Sequence, residues 1–304
     1  MHTDDALRTP AGPLLEGPDF LCIGMSKAGT GWLYLQLRYH PDFWMPPIKE
    51  LHYLDREAPK VSKAKRLLSR HTEFSARRLE KMKIGKSEIQ FAEEMRAVHG
   101  EPMNLDFYAS IFRFKENLIS GDVSPSYCAM PEELIAKIMT RFPKLKIIFL
   151  LRDPVSRAWS HLTMLHRGGK VNADDLQDIV KFRALFETSR TLRTGLPATF
   201  TRRWLKYVPA AQFHHYFFED LLSDPEGLKR KVLTFLGADP MKAGLLDPSE
   251  NKKEKPKLQM PSDIRDFLIQ SFFDELIASA AIFGGHATTW SAKYGIDSSA
   301  RRSE

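Results

Sequence analysis

The sequence predicts an α/β domain of three layers, a central parallel sheet with helices on both faces, and three features carry that expectation. Short apolar runs stand at Phe20–Gly24 and Leu145–Leu151, and Gln212–Phe218 is a third strand candidate. Each is followed within a few residues by helical spacing, the alternation a parallel sheet needs because its crossovers are helices. The second run contains IIFLL, apolar throughout, as in a strand covered on both faces.

The chain has 304 residues, 43% of them hydrophobic and 27% charged, a composition that excludes disordered and fibrous classes. One domain is expected over residues 19–290. A flexible arm precedes it at 1–18, with three Pro, two Gly and no apolar period, and a flexible tail follows at 291–304. No run approaches the roughly 18 apolar residues of a membrane helix, and the start lacks the pattern of a signal peptide. Only Cys22 and Cys128 are present, which excludes a disulfide framework, so a cytoplasmic protein is expected.

Taken in order, the first strand is stopped by Gly24, and the segment Met25 to Gly31 is turn-like. Trp32 to His40 reads as a helix, with Leu33 and Leu37 one turn apart and Pro41 closing it. Phe43–Met45 and Leu118–Ser120 are weaker strand candidates. Residues 60–88 form a basic helical insert with ten Lys/Arg against three Glu, much of the formal net charge of +7. Val61, Ala64, Leu68, Leu79 and Met82 lie at helical spacing beneath those charges. The insert reads either as a solvated helix face or as a patch for nucleic acid, anionic membrane or acidic substrate.

After the strand ending at Leu151, Asp153 is placed to cap a helix whose first residue is Pro154. Val155, Ala158, Trp159, Leu162 and Leu165 make its apolar stripe, while Ser156, Ser160 and Thr163 fall on another face. The third strand leads through Ser223-Asp224-Pro225 into a helix over Glu226–Leu236 ended by Gly237. Asn251 to Lys257 is a lysine-rich loop, and helical spacing returns over Ser262–Phe273.

The strand, loop and helix over residues 20–40 gather backbone N–H groups and the positive end of a helix around one small volume, an arrangement suited to phosphate-like anions. Lys27 adds a full charge. The loop is not GxxxxGK[ST], because Lys27 precedes Gly29-Thr30 and no lysine follows the glycine. The second strand ends in Arg152, a planar donor fork, where nucleotide-hydrolysing P-loop proteins carry an Asp for magnesium. A metal-free anion site follows. Ser160 is either a further donor to that anion or an ordinary surface serine.

Three segments, IGMSKAGTGWLYLQLRYHP, IIFLLRDPVSRAWSHL and FFEDLLSDPEGLKRKVLTFLG, together resemble the PAPS-dependent sulfotransferases, with the closer likeness to the carbohydrate (heparan-sulfate-like) and bacterial branch. The resemblance runs from Asp19 to Trp290. It implies a single P-loop-like domain with 3′-phosphoadenosine 5′-phosphosulfate (PAPS) as co-substrate and no metal. By the same resemblance Ser26, Lys27, Ala28, Gly29, Thr30 and Gly31 line the donor loop, and Arg152 and Ser160 hold the 3′-phosphate. The segment PPIKELHYLD is similar to the branch's KE-x-H-aromatic stretch, which implies catalytic roles for Lys27, Glu50 and His52. A base within reach of the acceptor hydroxyl takes its proton as the oxygen attacks. Whether Glu50 or His52 is that base stays open.

Residues 121–127, GDVSPSY, are similar to the family's acidic-x-[ST]-P-x-Y segment, with Val123 where several glycan-acting members carry lysine. The loop at 251–257 lacks the glycine of its counterparts, so none of Lys252, Lys253 and Lys255 is assigned to the nucleotide. The expected reaction moves the sulfo group of PAPS to a hydroxyl, or as second choice an amine, of a glycan, glycolipid or small metabolite. An anionic acceptor would suit the basic insert. No nucleic-acid partner and no transmembrane segment are expected, while peripheral membrane contact and oligomeric state stay open. Two other readings compete. One is a P-loop small-molecule kinase, which lacks here its GK[ST] and strand-end Asp. The other is a non-enzymatic anion- or nucleic-acid-binding protein, which lacks interleaved aromatics.

Overall fold

Four parallel strands, β1 Phe20–Gly24, β2 Gly121–Val123, β3 Lys146–Leu151 and β4 Phe213–Phe217, form the sheet of the computed structural model, in the order β2-β1-β3-β4. Described are residues 16–55, 64–65, 67–69, 80, 83–97, 102–189, 195–242, 244–249 and 258–296. Outside them lie most of the expected N-terminal arm, most of the basic insert, Lys252, Lys253 and Lys255, and the tail from 297 on.

Around the sheet pack α1 Thr30–Arg38, α2 Lys86–Ala97, α3 Leu105–Ser110, α4 Glu132–Arg141, α5 Pro154–Arg167, α6 Ile179–Thr188, α7 Pro197–Trp204, α8 Phe218–Ser223, α9 Pro225–Leu236, α10 Ser262–Ser271, α11 Phe273–Phe283 and α12 His286–Lys293. No helix among the described residues is long and apolar enough to cross a membrane. Burial explains why the central strands are apolar on both faces. Residues Phe20 to Ile23 and Ile147 to Leu151 are all buried, as strands covered on both sides require. The two cysteines are buried free thiols.

The helix boundaries follow local chemistry. The Asp153 carboxylate accepts from Val155 N at 3.0 Å, and Pro154 occupies the first position of α5. Asp224 caps α9 through Gly227 N at 2.8 Å, and Gly237 closes it in the left-handed conformation.

The fourth strand differs from the expectation. Leu118–Ser120 is not a strand: Ile119 makes a single parallel bridge with Phe43, and the paired strand begins at Gly121. Its sequence hides it, because Gly and Asp disfavour strands. Gly121 is nevertheless required, since a Cβ there would lie 2.5 Å from both the ring and the carbonyl oxygen of Phe20. At the other end of the chain, α12 runs past Trp290 to Lys293, and Lys293 and Tyr294 bond to Asp153.

All strands point one way, so their carboxyl ends share one edge, where open α/β sheets bind ligands. The close approach of β2 to β1 gives a direct test. Gly121→Ala is expected to destabilise the fold by about 1–3 kcal/mol through overpacking, read as a lowered urea midpoint at unchanged slope.

Candidate active site

The donor-loop residues named from the sequence fall between the end of β1 and the first turn of α1. Ser26, Lys27 and Ala28 form the turn, Gly29 is the N-cap of α1, and Thr30 and Gly31 are its first two residues. Gly29 has φ 95°, and a Cβ on it would lie 2.7 Å from Leu221, so both backbone and packing demand glycine. No side chain caps α1, which leaves the positive end of the helix to a ligand. Lys27 adopts φ 72°, a left-handed conformation uncommon outside glycine.

Arg152 follows β3 and reaches this loop. Its Nη1 donates to the Lys27 carbonyl at 2.7 Å, and its guanidinium lies 4.3 Å from the ring centre of Phe218, which follows β4. Burial lowers the Arg152 pKa from its ordinary value, while the nearby charges of Asp153 and Glu219 act in the opposite sense. Asp153 is occupied elsewhere, accepting from Ser156 Oγ at 2.7 Å, Lys293 Nζ at 3.0 Å and the Tyr294 hydroxyl at 2.5 Å. Ser160 is partly buried two turns into α5. Arg157 and His161 also lie on α5 and are buried. Burial brings Arg157 down to about 10. His161 is brought down to about 4, by burial first and then by the charges of Arg157 and Lys27.

Glu50 and His52 stand in the segment between α1 and α2. Two residues apart, the side chains would share one side if the segment were extended. The backbone is different, with φ 61° at Glu50 and 53° at His52, yet the two side chains meet, His52 Nε2 lying 3.6 Å from Glu50 Oε2. Lys49 Nζ pairs with Glu50 Oε1 at 2.6 Å. On the far side of the ring, His52 Nδ1 is 3.2 Å from Asp55 Oδ2 and 3.0 Å from Ser126 Oγ.

The segment after β2 anchors this constellation. Asp122 is buried, and its carboxylate accepts from Ser124 Oγ at 2.7 Å, Tyr127 OH at 2.6 Å and Tyr108 OH at 3.2 Å. The same Ser124 and Tyr127 oxygens accept from the backbone N–H groups of His52 at 3.4 Å and Leu54 at 3.3 Å. Burial raises the Asp122 pKa, and the three hydroxyl hydrogen bonds oppose that rise. Ser124 N donates to Cys22 O at 3.1 Å, which sets this cluster at the strand edge beside β1. Asp55, Ser126, Asp122, Tyr108, Phe218 and Tyr294 were not assigned from the sequence. Asp122 and Ser126 lie in the segment 121–127 that the sequence likeness singled out without a role, and Asp55 lies three residues after His52.

Residues 18–242 match the model of the Sulfotransferase family, and the chain belongs to that family. Among its relatives, mouse heparan sulfate glucosamine 3-O-sulfotransferase 3A1 is 31% identical over 156 residues, 47% of this chain and 39% of that protein. Mouse heparan sulfate glucosamine 3-O-sulfotransferase 6 is 26% identical over 252 residues, 78% of this chain and 58% of that one. Rat carbohydrate sulfotransferase 15 is 26% identical over 258 residues, 74% of this chain and 44% of that one. The chain thus spans about half the length of the curated relatives it matches. A sulfotransferase from Alicyclobacillus acidocaldarius has the same fold, with TM-score 0.62, 23% identity and coverage of 90% of this chain and 98% of that one. The sulfotransferase domain from the curacin biosynthetic pathway shares it at TM-score 0.52 and 14% identity, with coverage of 92% and 98%. Neither the kinase nor the nucleic-acid-binding alternative is favoured by these likenesses.

Tyr127 tests the anchoring network. Tyr127→Phe removes a donor to a buried carboxylate and the acceptor for Leu54 N, so a loss of about 1–3 kcal/mol in unfolding free energy is expected, measurable by equilibrium urea denaturation.

Proposed function

We propose that this protein transfers the sulfo group of PAPS to a hydroxyl of a glycan-type acceptor, releasing adenosine 3′,5′-bisphosphate. One observation carries the reading: Arg152 donates to the Lys27 carbonyl, which joins the end of β3 to the loop after β1. Two cationic residues thereby meet at one edge of the sheet, beside an uncapped helix N-terminus. In this reading Lys27 and the first N–H groups of α1 meet the phosphosulfate, Arg152 and Ser160 hold the 3′-phosphate, and Ser26, Ala28, Gly29, Thr30 and Gly31 line the loop. The protein's own cations supply the positive charge, and no metal is assigned a part. Residues 19–290 would act as one catalytic domain in the reducing cytoplasm, a setting compatible with two unbonded thiols.

The chemistry follows from charge. As the sulfur leaves the bridging oxygen of the donor, negative charge grows on the departing phosphate, where Lys27 stabilises it more than in the ground state. The acceptor oxygen bonds to sulfur while its proton passes to Glu50. Glu50 is the proposed base because His52 stands between two carboxylates, those of Glu50 and Asp55. A ring so placed is engaged on its Nδ1 side by Asp55 and Ser126, and in this reading it orients Glu50 instead of accepting the proton. The heparan sulfate and carbohydrate sulfotransferases among the relatives support a sugar hydroxyl as acceptor.

The decisive experiment incubates the full chain with isotopically labelled PAPS and a panel of glycans, glycolipids and small alcohols, followed by mass detection. A labelled sulfo group on a glycan hydroxyl is expected. Phosphorylation from ATP and magnesium in its place would overturn the reading. Glu50→Gln is expected to lower kcat by about 10²- to 10⁴-fold while adenosine 3′,5′-bisphosphate binds as before. Wild-type turnover in that variant would remove Glu50 from the role of base.

A further inference from the structure

Trp290, Lys293 and Tyr294, spaced by three and four positions, share one face at the end of α12. Each donates to a carboxylate that borders Arg152. Trp290 Nε1 reaches Glu219 Oε1 at 2.8 Å, while Lys293 Nζ and the Tyr294 hydroxyl reach Asp153 Oδ2 at 3.0 and 2.5 Å. Asp153 follows Arg152 directly, and Glu219 follows Phe218, the ring that lies against the guanidinium. Among the described residues neither carboxylate pairs with Arg152, whose Nη1 is engaged by the Lys27 carbonyl.

Asp153 is only 2% exposed, and a carboxylate so far from water needs a full set of donors. Val155 N and Ser156 Oγ supply two from its own helix, at 3.0 and 2.7 Å. The other two come from α12. Lys293 is held in place by a second bond, to Ser156 Oγ at 3.0 Å. Burial first, and then the charge of Asp153, raises the Tyr294 pKa, so the hydroxyl stays protonated and remains a donor at neutral pH. Were these two donors lost, the nearest replacement would be the guanidinium one residue away. A carboxylate bound there would occupy the N–H groups that an anionic ligand needs.

Resting on the donor-site reading above, we propose that Lys293 and Tyr294 are positioning residues for the 3′-phosphate of the donor, holding the Asp153 carboxylate off Arg152 so that the guanidinium stays open to the anion. Neither touches the nucleotide. They act through Asp153, and Trp290 docks the helix that carries them.

The test measures adenosine 3′,5′-bisphosphate binding to the full chain by calorimetry, with adenosine 5′-monophosphate as the control that lacks the 3′-phosphate. Lys293→Met combined with Tyr294→Phe is expected to weaken the bisphosphate about 10-fold and the monophosphate by less than about 2-fold. Adding Asp153→Asn, which keeps a helix cap and removes the charge, is expected to restore the bisphosphate to within about 3-fold of wild type. The same substitution in the otherwise wild-type chain should give a smaller gain, as coupled residues require. Tyr294→Phe alone removes one hydroxyl and keeps every charge. A loss of about 3-fold with the same rescue is expected there, and it decides the matter should the double variant not fold. Wild-type affinity in the variants, an equal loss for both nucleotides, no rescue by Asp153→Asn, or an equal gain from it in both backgrounds overturns the inference and leaves the sulfo-transfer reading intact. Failure of the wild-type chain to bind the bisphosphate overturns that reading, and this inference with it.

Discussion

A guanidinium held against a backbone carbonyl, Arg152 to Lys27, ties the end of β3 to the turn after β1, and the proposed donor side of the site is built outward from it. The carbonyl can receive that bond because Lys27 is turned into the left-handed region. The ring of Phe218, from the end of β4, lies against the same guanidinium. Three of the four strands thus converge on one side chain. A fork with five N–H groups can hold a carbonyl and still present others to an anion, so the contact orders Arg152 without consuming it.

The proposed acceptor side depends on a different constraint, a carboxylate taken out of water. Burying Asp122 opposes its ionised form, and three hydroxyl groups compensate. Two of those hydroxyl oxygens also accept from the backbone of residues 52 and 54. The left-handed backbone at Glu50 and His52 is thereby held in place by the end of β2. Strain of this kind persists where surrounding structure over-determines it, and it clusters at functional sites.

The uneven legibility of the sequence follows from the same physics. β1 and β3 could be read because buried central strands are apolar almost throughout, the edge strand β4 because aromatic residues bracket its two histidines, and α5 because Asp153 and Pro154 announce its start. β2 could not, since it is made of a glycine forced by Phe20, a buried aspartate and one valine. Glu50 and His52 were visible through a family likeness alone, as no local spacing distinguishes them from surface residues. The partners of His52 at Ser124 and Ser126 lie more than 70 residues away and are brought near by the parallel pairing of β1 with β2, a register that no short pattern encodes. The fraying expected after Trp290 missed Tyr294 for a similar reason, its anchor being Asp153, 141 positions earlier.

One consequence of these contacts concerns how a cationic site keeps its charge. Asp153 adjoins Arg152 in sequence, and an ion pair between them would cancel the positive charge that an anionic donor needs. Instead the Asp153 carboxylate turns into the start of α5 and accepts from Val155 N, Ser156 Oγ, Lys293 Nζ and the Tyr294 hydroxyl. A carboxylate so occupied is stabilised by the helix dipole and by hydrogen bonds, which removes its incentive to fold back on the neighbouring arginine. Glu50, by contrast, pairs with its own neighbour Lys49 and lies beside His52. Carboxylates and cations thus stand on either side of β1, each with local partners, and opposite charges share one sheet edge without collapsing into a single salt bridge. That separation suits the proposed in-line transfer, with an anion held at one end and a proton acceptor at the other.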